Sequence, residues 1–368
     1  MTILSAVDDI PVQKQNDANT WKILEHEYDD AIFQDVKFIN STHGWICADA
    51  GFSPSEGGFV LHTKDGGETW NVLLNSTEHL YFQLDIYRKN IWITGRNTIF
   101  HSDDFGVTWT QSMVGKENIV LAMVEFINRT HGWTATNDKL YRSINGGSNW
   151  ESVSGWYFND TPRMMQYIPP SSLYAIGFSG IYHSSGFNGI WTKISGIGGN
   201  SISFVNPLTG WATGDSRLAR TVDGESWQEL TVPGNFPFYR FRSPYLSEVK
   251  FLDANHGWIV GGETPIMYTP DGGLNWYEQS ISGNTGRIMA IDMINLTYGW
   301  AVGWNGKILK TTNGNQLDAR LINGFSDPIV LSIVGVVVIV PVSLGIFCWK
   351  RRRSLSLPTE TKHTTELE

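Results

Sequence analysis

Apolar and polar residues alternate in short runs along much of the chain, as in FVLHT (Phe59–Thr63) and KILKT (Lys307–Thr311). A period of two puts successive side chains on opposite faces of an extended backbone, so these runs predict strands. Two recurring turn patterns separate them. The first reads apolar-x-Asn/Asp, a turn, then Gly-Trp. It occurs as FINSTHGW (Phe38–Trp45), FINRTHGW (Phe126–Trp133), FVNPLTGW (Phe204–Trp211), FLDANHGW (Phe251–Trp258) and MINLTYGW (Met293–Trp300). Weaker copies are DIYRKNIW (Asp85–Trp92) and YIPPSSLY (Tyr167–Tyr174). The seven closing aromatics lie 47, 41, 41, 37, 47 and 42 residues apart. A period of about 40 residues is that of a four-stranded propeller blade.

The second pattern, Ser/Thr-x-Asp/Asn-x-Gly-x-x-Trp, follows the first. TKDGGETW (Thr63–Trp70), SDDFGVTW (Ser102–Trp109), SINGGSNW (Ser143–Trp150) and TPDGGLNW (Thr269–Trp276) are complete. SSGFNGIW (Ser184–Trp191) is degenerate and TVDGESW (Thr221–Trp227) is one residue short. Here Asp65, Asp104, Asn145, Asp223 and Asp271 take a structural role. A short acceptor side chain collects backbone N–H groups of its own turn, and Gly supplies positive φ. The Trp opens the next strand and packs over the turn.

The seventh copy starts as TTNGN at Thr311 and then lacks its Trp, whereas TWKIL (Thr20–Leu24) is a Trp-led strand with no turn before it. The N-terminal strand is therefore expected to complete the last blade, which hides two sheet edges. The expected fold is all-β: a seven-bladed β-propeller of four-stranded blades over residues 20–318, preceded by a lead over 1–19. A stalk, 319–327, leads to Pro328–Trp349, 22 residues without a charge. As a helix at about 1.5 Å per residue they would cross a bilayer. Lys350, Arg351, Arg352 and Arg353 follow, and basic residues mark the cytoplasmic side. The expected arrangement is a single-pass cell-membrane protein, its propeller extracytoplasmic and its basic, disordered tail, 350–368, cytoplasmic. The first 19 residues lack a basic n-region, so this arrangement calls for a start upstream, residues 3–7 being a signal-peptide remnant. The alternative is a tail-anchored protein with a cytoplasmic propeller.

Composition narrows the function. A net charge of −9 argues against nucleic-acid binding, and Cys47 and Cys348 are too few for a disulfide framework or a zinc cluster. No cofactor or metal is expected. His43, His131 and His256 precede Gly-Trp in three different blades, and the Asp residues of the second pattern are likewise spread around the ring.

The second pattern is the Asp-box of the BNR-repeat propellers. Its pairing with Gly-Trp units in seven copies, over Thr20 to about Gly314, resembles the photosystem II assembly and stability factor family. That resemblance implies a non-enzymatic scaffold that binds a membrane protein or cell-surface partner. The cyanobacterial relatives resemble lipoproteins anchored at the N-terminus; here the anchor is expected at the C-terminal side. A surface glycan-binding or sialidase-like protein is the alternative, but the first arginine motif of sialidases is missing.

The partner-binding face is expected opposite the Asp-boxes, where long blade connections concentrate aromatics and arginine. The candidates are Arg96, Trp156, Tyr157, Arg163, Phe238, Tyr239, Arg240, Arg242 and Arg287.

Overall fold

The computed structural model describes residues 20–49, 57–77, 80–115, 119–137, 139–154, 156, 160–214, 217–230, 245–262, 265–283 and 286–315. They form seven four-stranded antiparallel sheets. Their innermost strands, Ile32–Phe38, Leu84–Tyr87, Met123–Phe126, Pro162–Ile168, Ser201–Asn206, Tyr245–Phe251 and Ile288–Met293, each meet the next, and the last meets the first. The described residues form a closed seven-bladed β-propeller. The expected membrane segment, 328–349, and the lead, 1–19, lie outside the described residues. Among the described residues no helix is long and apolar enough to cross a membrane.

Closure follows the expected route. Blade 7 consists of Ile288–Met293, Gly299–Gly303, Ile308–Thr311 and, outermost, Lys22–Ile23. Lys22 pairs with Lys310 and Ile23 with Leu309. Trp21 fills the place of the missing box tryptophan. It is fully buried and its indole donates to Gln279 Oε1 of blade 6 at 2.8 Å.

The Asp-box chemistry is as the residue types dictate. In blade 1 the Thr63 hydroxyl donates to Asp65 Oδ1 at 2.7 Å and accepts from Gly67 N–H at 2.8 Å. Asp65 also receives Thr69 N–H at 2.9 Å and the Thr69 hydroxyl at 2.6 Å. The turn donors hold the Asp65 carboxyl down at about 2 against a desolvation cost. Asn145 accepts the same N–H, from Asn149 at 3.0 Å, without a charge. Asp65→Asn is therefore expected to cost little, while Asp65→Ala should lower stability by about 1 kcal/mol, read from urea unfolding midpoints. Equal losses for both would show that the charge, not the acceptor, matters.

The Gly-Trp pattern is explained by packing between blades. Phe38 lies over Gly44 of its own blade, where an added Cβ would be 2.4 Å from the ring. Its other face stacks on Trp300 of blade 7 at 3.5 Å, and Trp70 meets it edge-on at 6.1 Å. Phe126 repeats this with Gly132, Trp92 and Trp150, and Phe251 with Gly257, Trp211 and Trp276. The Trp then ties into the next blade's box. Trp92 Nε1 donates to Gly146 O at 2.8 Å, Trp211 to Gly272 O at 2.9 Å and Trp300 to Gly66 O at 3.0 Å. Among the described residues the indoles of Trp45 and Trp133 have no such partner. In the box after Trp45 the position equivalent to Gly66, Gly146 and Gly272 is Phe105, and the box after Trp133 is degenerate.

Candidate functional site

The first strand of each blade starts on the face away from the Asp-boxes. There the ring opens into a cavity of about 370 Å³, lined by residues of the inner strands and of the connections on that face. Gln34, Asp35, Gln83, Arg163, Asn200 and Glu248 supply much of its polar wall. This is the face on which the sequence placed the partner site.

Deeper in the ring, one polar residue per blade sits opposite the closing aromatic of the first pattern: Lys37, Asp85, Glu125, Gln166, Ser203, Lys250 and Asp292. These side chains clip each blade to the next. Asp292 accepts Phe38 N–H at 2.7 Å, Asp85 accepts Phe126 N–H at 2.6 Å, and Glu125 accepts Tyr167 N–H at 3.0 Å. Gln166 accepts Phe204 N–H at 2.6 Å and Ser203 accepts Phe251 N–H at 2.9 Å. Lys250 Nζ reaches Asp292 at 3.1 Å, while Glu248 accepts Ile291 N–H at 2.8 Å. Where Lys37 cannot accept, Asp35 takes over and receives Leu84 N–H at 3.0 Å. All seven seams are therefore bridged. The signal for this ring was in the sequence: the residue before the pattern's first large apolar side chain is polar in every copy.

Burial dominates the electrostatics. It raises Glu125 to about 8, helped by the charge of Asp85; it raises Glu248 to about 7 and Asp85 to about 6. Burial works against the Lys37 ammonium too, but Asp35, Glu248, Asp292 and Asp85 outweigh it and hold its pKa above the ordinary value. The folded ring thus keeps protons that an unfolded chain, with Glu at 4.5, has released. Stability from this source is present below about pH 4.5 and is lost as pH rises through about 8. The slope is about 1.4 kcal/mol per pH unit for each proton held differentially. Glu125→Gln keeps an acceptor for Tyr167 N–H and needs no proton. It should flatten the decline in unfolding free energy across that window; an unchanged slope would assign the decline elsewhere.

The candidate residues fall in different places. Arg163 is on the inner strand of blade 4 and lines the cavity; it donates to Asn200 Oδ1 and lies over the Phe178 ring at 4.2 Å. Arg96, half-buried between the second and third strands of blade 2, makes a backbone bridge to Val120 at the cavity wall. Arg287 precedes the inner strand of blade 7, its guanidinium 5.2 Å from the Trp304 ring. Trp156 is a correction: at 7 % exposure it packs between Tyr182 and Trp191 and belongs to the core rather than to a presented surface. Tyr157, Phe238, Tyr239, Arg240 and Arg242 lie outside the described residues. His43, His131 and His256 bond within their own turns, to Thr42, Thr130 and Asp253.

Repeated Asp-box turns, a closed seven-blade ring and a polar cavity on the opposite face define a BNR-repeat propeller. A family profile described as "Photosynthesis system II assembly factor YCF48" matches residues 13–116 and 240–323, about half the chain. The photosystem II assembly protein Ycf48 of Thermosynechococcus vestitus is 41 % identical over 282 residues, covering 71 % of this chain and 76 % of its own. The chain belongs to this family of non-enzymatic assembly factors. The photosystem II stability/assembly factor HCF136 of Arabidopsis thaliana is 23 % identical over 316 residues, 74 % of this chain and 77 % of its own. Among solved structures, YCF48 bound to a D1 peptide superposes with a TM-score of 0.64 at 20 % identity, covering 81 % of this chain and 98 % of that one. A GH74 enzyme of Niastella koreensis, at 14 % identity, TM-score 0.55 and cover of 80 % and 53 %, shares the fold alone and lends the glycan alternative no support.

Proposed function

We propose that this chain is a membrane-anchored assembly factor that holds a segment of a membrane protein at the channel mouth. The observation that carries the reading is the cavity with Arg163 in its wall, on the face where the blade connections converge. A family member is known with a D1 peptide bound, so the fold accepts a peptide ligand. Residues 328–349 would be the anchor, with the propeller extracytoplasmic and 350–368 cytoplasmic. Arginine beside exposed aromatic surface suits a peptide that carries a carboxylate or a backbone to be fixed.

The test is affinity capture of the tagged full chain from detergent-solubilised membranes, with intact cells protease-treated in parallel. A membrane-protein subunit should co-purify, Arg163→Ala should reduce its recovery severalfold, and external protease should remove the propeller. Failure to recover any membrane subunit would sink the assembly reading. A propeller protected in intact cells would reverse the topology and favour a tail-anchored protein.

A further inference from the structure

The face opposite the channel mouth carries an unusual excess of apolar tips. Among the described residues, nine of the thirteen exposed large apolar side chains lie on the Asp-box turns or on the neighbouring first-to-second strand turns. Val107, Ile144, Ile190, Val222 and Leu274, from five consecutive blades, are between 58 % and 79 % exposed. None of these side chains is needed by the box itself, whose hydrogen bonds run through Ser/Thr, Asp/Asn and backbone. Nine of thirteen such side chains on one face is a bias toward that face, although the tips do not merge into one contiguous patch.

The chain leaves the ring on this same face. Ile308–Thr311, the third strand of blade 7, ends at its box turn. There Gly314 N–H donates to Thr297 O at 2.9 Å and Gly314 O accepts the Trp258 indole at 3.1 Å. Only residues 316–327 then precede Pro328, where the apolar run begins. Fully extended, twelve residues reach about 40 Å at most.

We propose that the Asp-box face rests on the lipid surface, its apolar tips entering the headgroup region, so that the channel mouth points away from the bilayer. This rests on residues 328–349 being a membrane anchor. The tips come one or two per blade with polar turn groups between them. A protein interface needs a contiguous, closely packed apolar centre. A headgroup layer accepts separate apolar side chains while it hydrogen-bonds their polar neighbours. The box carboxylates Asp104 and Asp223, held low by their turn donors, stay charged, which favours zwitterionic over anionic lipid.

The test uses the full chain with Cys348→Ser, reconstituted into phosphatidylcholine vesicles that contain nitroxide-labelled lipid. Cys47 has no exposed surface and escapes labelling. An environment-sensitive fluorophore is placed at Val107→Cys, at Leu274→Cys and, on the opposite face, at the exposed Lys139→Cys. Flotation of the vesicles establishes anchoring separately. The expected result is that the chain floats, that labels at 107 and 274 lose most of their emission to the lipid quencher, and that the label at 139 keeps its own. A chain that floats with no quenching at 107 and 274, or with equal quenching at 139, overturns this inference and leaves the anchor standing. A chain that does not float overturns the anchor and this inference together.

Discussion

Trp300→Ala should lower the unfolding free energy by about 4 kcal/mol, at the upper end for a fully buried aromatic. Three losses coincide there. The indole is completely buried, its ring stacks on Phe38 at 3.5 Å, and its N–H donates to Gly66 O at 3.0 Å. Phe38 and Gly66 belong to blade 1, while Trp300 belongs to blade 7, so the side chain spans the seam between the two ends of the propeller. No direct chain connection joins those blades except through the outermost strand, Lys22–Ile23, and its two paired residues. Trp300→Phe keeps a stacking partner and gives up the hydrogen bond, so it should cost about 1–2 kcal/mol plus a small cavity. Urea unfolding followed by tryptophan fluorescence reads both. A Trp300→Ala loss no larger than that of Trp300→Phe would show that the stack contributes little to closure.

Gly132→Ala should cost about 2–3 kcal/mol although it adds one methyl group. The new Cβ would stand 2.5 Å from the Phe126 ring. That ring has nowhere to go, being stacked on Trp92 at 3.7 Å and held edge-on by Trp150 at 5.9 Å. Two controls separate this clash from a general cost of losing glycine. Gly196→Ala meets nothing within 4 Å and should stay within about 0.5 kcal/mol of the parent. In a Phe126→Ala background the obstacle is gone, so Gly132→Ala should then cost much less. The same thermal or urea series measures all four proteins. Additive losses would sink the packing account of the Gly-Trp pattern.

Blade number, strand count and the closing strand were legible because each depends on local periodicity: alternation within a strand, turn chemistry within a few residues, and a repeat length. Which turns share a face was legible for the same reason, since strand direction fixes which turns lie together. Arg163 reads in sequence as part of a connection; the structure places it on the inner strand Pro162–Ile168, in the cavity wall. Trp156 was not distinguishable from a presented aromatic, because its neighbours Tyr182 and Trp191 come from later strands of the next blade sheet. The clip residues looked like ordinary solvent-facing positions of alternating strands. Glu125 and Asp292 read locally like Lys193 or Glu229, which face outward.

What the sequence by itself determined is the blade: its four strands, its Asp-box, and the Trp-led strand that completes the last one. What only the tertiary structure decided is which blade each motif serves. Phe38 and Trp45 stand in one motif, yet Phe38 stacks on Trp300 of the preceding blade. Likewise Glu125 belongs to blade 3 but accepts a backbone N–H of blade 4. Those partners are 262 and 42 residues apart in the chain. A repeat pattern records only that equivalent positions recur. Closing the ring turns one polar position per blade toward a shared axis, where burial withdraws it from water and a neighbouring backbone group becomes its partner.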